Sequence, residues 1–278
     1  MRVWLHAELD PAPGVDLSAL AAWLHVLTGP IHMAPGGAAS NTTVGCANLG
    51  ITTGFIGCIG GDETGAAYRA ALTAQHCEDL LIEHPNEPSG RVLSLITPDA
   101  ERTMRTNLGA AAALSPADIT AERFAGARLV MLEGYTLFNH DLTRAVARAA
   151  KEANCELALD LASFEVVAAN KAVLGELLDG QVDIVFANED EASAWAGSVE
   201  AAIDDLAQRC RVAAVKLGAD GAWLVRGEER VHVGIEPVDK VIDTTGAGDT
   251  WAAGFLAGYL RGLPLEACGR LGAMAGGS

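Results

Sequence analysis

A chain of 278 residues, half of them apolar, has the length to bury one large core, and its formal net charge of -17 argues against a binder of nucleic acid or anionic membrane. Six cysteines (46, 58, 77, 155, 210 and 268) stand apart with no C-x-x-C pair, so neither a zinc site nor a disulfide framework is expected. The apolar runs, such as that flanking Arg128 to Leu132, stop short of the roughly 20 residues of a membrane span, and MRVWLHAELDPAPG does not read as a secretory signal, so a soluble, cytoplasmic protein is expected.

Taken in chain order, the first segment, Met1 to Pro35, shows no convincing strand, and its periodicity predicts one helix over Asp16–Leu27. Next come a helix over Asn41–Leu49, a strand over Ile51–Cys58 and a helix over Thr64–Thr73. Arg91–Thr97 reads as a strand, and Arg91–Arg105 as a hairpin-like excursion from the main sheet, turning at Pro98-Asp99-Ala100-Glu101. The rest alternates: strand Leu129–Glu133, helix Asp141–Ala153, strands Glu156–Asp160, Asp183–Ala187, Val212–Lys216 and Ala222–Val225, and helix Gly248–Arg261. Strands alternating with Ala-rich helices are the pattern of a largely parallel sheet covered on both faces, so an α/β fold in a single domain over residues 1–278 is expected.

The strongest chemical signal is Asp243-Thr244-Thr245-Gly246-Ala247-Gly248-Asp249, which leads straight into the last of these helices. Small residues at 246–248 let backbone N–H groups approach an anion, and a helix N-terminus stabilises the negative charge of a transferring phosphoryl group. Asp249, beside that anion hole, is placed to accept a proton from an attacking hydroxyl. The same residues could also form a plain turn with an acid favoured by the helix dipole. There is no G-x-x-x-x-G-K-[ST], and Trp251 stands where the dinucleotide fingerprint needs its third glycine, so those two phosphate-binding motifs are excluded.

DTTGAGDTWAAGF resembles the C-terminal signature of the ribokinase-like (PfkB) family of sugar and nucleoside kinases. The resemblance implies a three-layer α/β/α fold with a small, reduced β lid, in which Asp249 is the catalytic base and Gly246, Ala247 and Gly248 form the anion hole. It implies ATP and Mg²⁺ as cofactors and a small sugar or nucleoside as acceptor, with no nucleic acid or membrane partner, and it allows a homodimer. Pro35-Gly36-Gly37-Ala38-Ala39-Ser40-Asn41 and the turn Gly57 to Gly65 resemble the family's N-terminal signature, which implies Gly36, Gly37 and Asn41 as acceptor contacts and leaves Asp62 structural. Glycine pairs at helix entrances are also ordinary backbone devices.

Asn188-Glu189-Asp190-Glu191, just past a strand, resembles the family's N-x-x-E motif. That implies Asn188 on the nucleotide side and Glu191 acting on the metal through water, although a solvated helix start would read the same way. Lys216-Leu217-Gly218-Ala219-Asp220-Gly221 resembles the nucleotide-side loop, which implies Lys216, Gly218 and Gly221 as nucleotide contacts. Arg102, on the excursion at about 88-107, is implied as a contact to acceptor or phosphate, and Glu101 to Ala110 with Ala158 to Phe164 resemble the adenosine-kinase-like branch more loosely. The family's opening strand with its acceptor-binding Asp finds no counterpart before Pro35, and the chain stops at Ser278, where family members usually continue. Both ends therefore read as shortened, and the alternative is an impaired member that binds nucleotide or sugar without transferring phosphate.

Overall fold

The computed structural model describes residues 2–5, 32–96, 102–236 and 246–277. By backbone contacts the chain divides into two compact units, Met1–Ala47 with Thr52–Leu114, and Asn48–Ile51 with Ser115–Ser278.

The first unit contains β1 (Arg2–Leu5), β2 (His32–Pro35), α1 (Ala38–Asn48), β3 (Thr53–Phe55), β4 (Cys58–Gly60), α2 (Glu63–Ala74), β5 (Cys77–Asp79), β6 (Ile82–His84), β7 (Arg91–Ile96) and β8 (Arg102–Asn107). Four strands form a sheet in the order β2-β1-β7-β8, in which the hairpin of β7 and β8 pairs Arg91 with Asn107 through to Ile96 with Arg102. Among the described residues its strands are not hydrogen-bonded to those of the six-stranded sheet. The strand β1 corrects the reading of Met1 to Pro35: four residues are too few to show a period, and β1 is held by β2 and β7 rather than by its own pattern. The helix expected over Asp16–Leu27 and the turn at 98–101 lie outside the described residues.

The strand expected over Ile51–Cys58 is also corrected, to β3 and β4, each paired in parallel with a different partner, β5 and β6. The break falls at Gly57, whose missing side chain would lie 2.9 Å from the Phe55 ring. Asp62 is structural, as expected. It caps α2, accepting from Gly65 N at 2.8 Å, Ser89 Oγ at 2.5 Å and Ser89 N at 3.1 Å. Burial pushes its carboxyl up, but these hydrogen bonds and nearby Arg91 hold it below the usual range.

The second unit contains β9 (Leu129–Glu133), α3 (His140–Glu152), β10 (Glu156–Asp160), α4 (Phe164–Ala169), α5 (Lys171–Leu178), β11 (Ile184–Asn188), α6 (Glu189–Ala196), α7 (Val199–Arg209), β12 (Val212–Lys216), β13 (Ala222–Arg226), β14 (Glu229–Val233), α8 (Ala247–Leu260) and α9 (Leu265–Gly276). Its six-stranded sheet runs β14-β13-β12-β11-β10-β9, with β9 to β12 parallel and the last two strands antiparallel. Parallel strands added one after another in one direction by right-handed crossovers put α3 to α7 on a single face.

The other face is fixed by register. Phe186 is level with Asp160 on one side and Ala214 on the other, and Ala214 is level with Leu224, so these four side chains share a face. Phe186 meets Trp251 and Phe255 of α8 edge to face, with ring centroids 6.2 and 5.5 Å apart. A side chain on Gly269 of α9 would touch Leu224 at 2.4 Å. Hence α8 and α9 cover this face. They lie close because Gly254 and Gly272 carry no side chains: a Cβ on Gly254 would fall 2.3 Å from the Leu271 carbonyl oxygen, and one on Gly272 would fall 2.8 Å from the Trp251 ring.

Candidate active site

The four parallel strands end on polar residues, Glu133, Asp160, Asn188 and Lys216. Ligands of open α/β sheets bind outside the carboxyl ends of the strands, so this edge is where a site belongs. Asp160 shares the α8 face with Phe186, and Asn188 and Lys216, two residues beyond Phe186 and Ala214, share it too. Three polar residues therefore converge on the side of the sheet that α8 covers.

The helix α8 starts at Gly246, which adopts φ 77°, a left-handed conformation that suits glycine, and makes no side-chain cap. Most other helices of this unit are capped by a side chain: Asn139 for α3, Ser163 for α4, Asn188 for α6 and Ser198 for α7. At α8 the N-cap glycine offers no side chain to the first-turn N–H groups, which suits them to an anion. Asp249 lies in this first turn, directly preceded by Ala247 and Gly248. Asp243, Thr244 and Thr245 lie outside the described residues.

Lys216 joins this turn to the sheet. Its Nζ lies 3.3 Å from where a Cβ on Gly248 would be, and it bonds Asp160 Oδ2 at 3.2 Å. Burial alone would push the ammonium's pKa down, but Asp160 and Glu191, with Asp249 beyond them, hold it above the usual lysine value.

Glu191 is almost wholly buried, at 2% exposure. Asn188 Oδ1 accepts from Glu191 N, while Glu191 Oε2 and Oε1 accept from Asn188 N and Nδ2, all at 2.8 Å. The N-x-x-E spacing is thus a capping box, with Asn as the cap. Burial first, then the Asp160 charge, raises the Glu191 pKa to about 7, and the Lys216 charge opposes them.

The loop after β12 is a tight hairpin. Leu217 N donates to Gly221 O at 2.7 Å, and Gly218 and Gly221 sit at φ 51° and 82°. A side chain on Gly221 would strike the Val233 carbonyl at 2.0 Å, so backbone geometry alone accounts for that glycine. In the first unit Gly36 and Gly37 are buried at the entrance to α1. Their carbonyls both accept from Ser40 Oγ at 3.0 Å, and Asn41 N donates to Gly37 O at 2.8 Å. Arg102 opens β8, level with Ile96.

The structure thus brings together, in the second unit, Asn188, Glu191, Lys216, Gly246, Ala247, Gly248 and Asp249, whereas Gly36, Gly37, Asn41 and Arg102 belong to the first. The sequence reading missed Asp160. Its signal was available: an acid ending an apolar strand, just as Asn188 and Lys216 do. Among the described residues no group of three or more His, Cys, Asp or Glu side chains is arranged to hold a metal, and no helix is long and apolar enough to cross a membrane. A cavity of about 250 Å³ lined by Pro116, Thr120, Ala145, Arg148 and Glu152 lies against the later turns of α3, toward the opposite ends of the strands.

A family model described as pfkB family carbohydrate kinase matches residues 15–277. The chain belongs to this family. It is 29% identical over 240 residues to an uncharacterized sugar kinase of Archaeoglobus fulgidus, covering 82% of this chain and 91% of that one. To an adenosine kinase of Schizophyllum commune it is 30% identical over 260 residues, covering 83% and 74%. Among solved structures, the adenosine kinase from Sinorhizobium meliloti superposes with a TM-score of 0.88 at 34% identity, over 99% of this chain and 89% of that one. The layered sheet described above is accordingly the ribokinase-like fold, and Gly246 to Asp249 of this carbohydrate kinase form the α8 entrance.

Proposed function

We propose that this pfkB-family kinase moves the γ-phosphate of ATP onto a hydroxyl of a sugar or nucleoside, with Asp249 as the general base. The observation that carries this reading is the α8 entrance, where a glycine start without a side-chain cap, a carboxylate in the first turn and the Lys216 ammonium meet at the carboxyl edge of the sheet. In this reading Asp249 accepts the proton of the attacking hydroxyl, and the N–H groups of Gly246, Ala247 and Gly248 hold the charge of the transferring group. Lys216, Gly218, Gly221 and Asn188 serve the nucleotide, and Gly36, Gly37, Asn41 and Arg102 the acceptor. Adenosine or a related nucleoside leads as acceptor, since the compared proteins include adenosine kinases.

Mg²⁺ fits the charges present. The carboxylates of Asp160, Glu191 and Asp249 face one ammonium, which leaves a surplus of negative charge where a polyphosphate must sit. Magnesium keeps several waters and is usually held by one or two carboxylates with substrate phosphates, so a ready-made protein cage is not required. Bound there, it would neutralise phosphate charge, and Glu191 would orient its water.

The test is ATP consumption with Mg²⁺ across adenosine, other nucleosides, ribose and fructose, with Asp249→Asn as control. Turnover with one acceptor, lost by ~100-fold or more in the variant, is expected. Undiminished turnover in Asp249→Asn would remove Asp249 from its role. Nucleotide binding without turnover on any acceptor would favour the impaired binding module.

A further inference from the structure

We propose that Asp160 is a positioning residue for phosphoryl transfer: it holds the Lys216 ammonium against the Gly248 turn, where it meets the charge of the transferred group. This rests on the kinase reading above. The contact does not follow from sequence proximity. Asp160 ends β10 and Lys216 ends β12, with β11 between them. At roughly 4.8 Å per strand the two backbones stand about 10 Å apart, and both side chains must reach over the end of β11 to meet at 3.2 Å. A lysine at a strand end has a flexible four-carbon stem and a strongly hydrated head, and would ordinarily turn to water. Here it turns inward, to one side of Gly248.

Asp160 is itself fixed from three sides. Its Oδ1 accepts from Ala162 N at 2.9 Å, and Ala162 is held at φ 67°, a conformation that costs any residue with a Cβ. Leu161 N donates to the Phe186 carbonyl at 3.0 Å, which ties the turn to β11. Gly134, after β9, packs so closely that a Cβ there would lie 2.6 Å from the Asp160 carbonyl oxygen. Backbone strain of this kind persists only where the surroundings enforce it, and it clusters at functional sites. A surface ion pair would need none of it. With one carboxylate oxygen committed to Ala162 and the other to Lys216, Asp160 acts as a bracket for the ammonium.

The experiment measures ATP and ADP affinity by calorimetry with MgCl₂, and kcat and acceptor KM, for wild type, Asp160→Asn, Lys216→Met and the double variant, with folding checked by thermal denaturation. Asp160→Asn keeps the shape and removes the charge. It should lower kcat by about 100-fold, the scale of a misplaced catalytic group, and reduce the preference for ATP over ADP, while acceptor KM stays within about two-fold. Lys216→Met should lose as much, and the double variant no more than either alone, because both act through one ammonium. Wild-type kcat and ATP preference in Asp160→Asn, or losses that multiply in the double variant, would overturn the proposal. Should Asp160→Asn fail to fold, Lys216→Arg decides: it keeps the charge but not the point geometry, so a retained ATP preference refutes positioning and a lost one supports it. If the wild type transfers phosphate to no acceptor the kinase reading itself fails, whereas an active wild type beside a fully active Asp160→Asn removes only this proposal.

Discussion

The Glu191 carboxyl should make folding stability fall with pH through neutrality. Its pKa is raised from 4.5 to about 7 in the folded protein, chiefly by burial and then by Asp160. Between these values the unfolded chain has released a proton that the folded one keeps. Stability therefore declines as pH rises through that window, and the loss is complete above about 7. At about 1.4 kcal/mol per pKa unit the total is about 3.5 kcal/mol. Glu191→Gln removes this dependence at a different cost. A glutamine offers one oxygen to the two donors of Asn188, N and Nδ2, so one donor loses its acceptor, for about 1–3 kcal/mol at every pH. The stability curves of the two proteins should therefore converge or cross, the variant being weaker near pH 5 and equal or better near about pH 8.5. Urea unfolding across that range, with equal m-values, measures the difference directly, and titrating groups remote from Glu191 cancel in the comparison. A wild-type curve parallel to the variant's through neutrality would refute the reasoning.

Phe255→Ala should cost about 3–5 kcal/mol in chemical denaturation, because Phe255 is fully buried and packs on Phe186, Trp251 and Tyr259 at 5.5, 5.6 and 6.3 Å between ring centroids. A loss under about 1 kcal/mol would mean that α8 does not pack on the sheet as described. Gly65→Ala should lower the melting temperature and destabilise by about 1–3 kcal/mol, since its Cβ would fall 2.2 Å from the Gly60 carbonyl oxygen, a backbone atom with little room to move. An unchanged melting temperature would show that α2 does not lie so close to β4.

What the sequence revealed follows from how local each signal is. Leu129–Glu133, Glu156–Asp160 and Val212–Lys216 are apolar runs bounded by polar residues, and the structure forms strands at the same bounds. The start of α8 was equally legible, since its signal, glycines leading into an apolar helix, lies in consecutive residues. The N-terminal strand β1 was not, because its four residues owe their conformation to β2 and β7, partners about 30 and 90 positions away. Asp160 was not either. Its meaning depends on Lys216, 56 residues later, and on a register that only the folded sheet sets. Asn188 and Glu191 lie between these cases: their spacing was visible, but the capping box it forms became explicit only in three hydrogen bonds.

The charge arrangement resolves an apparent conflict between composition and reaction. A chain of net charge -17 repels ATP at long range, and its carboxyl edge adds the acids Asp160, Glu191 and Asp249. A lone buried carboxylate surplus is costly and is ordinarily relieved by protonation or by a partner. Lys216 relieves part of it, while burial first and the Asp160 charge second raise the Glu191 pKa. A fold that keeps three acids around one ammonium is stable enough to stand but favours any further cation brought to that edge. In the proposed reaction, nucleotide arriving with Mg²⁺ would supply that cation, and the surplus that disfavours bare ATP would select for the metal complex. Phosphate affinity measured with and without Mg²⁺ should therefore differ far more here than at a site built on lysines and arginines alone.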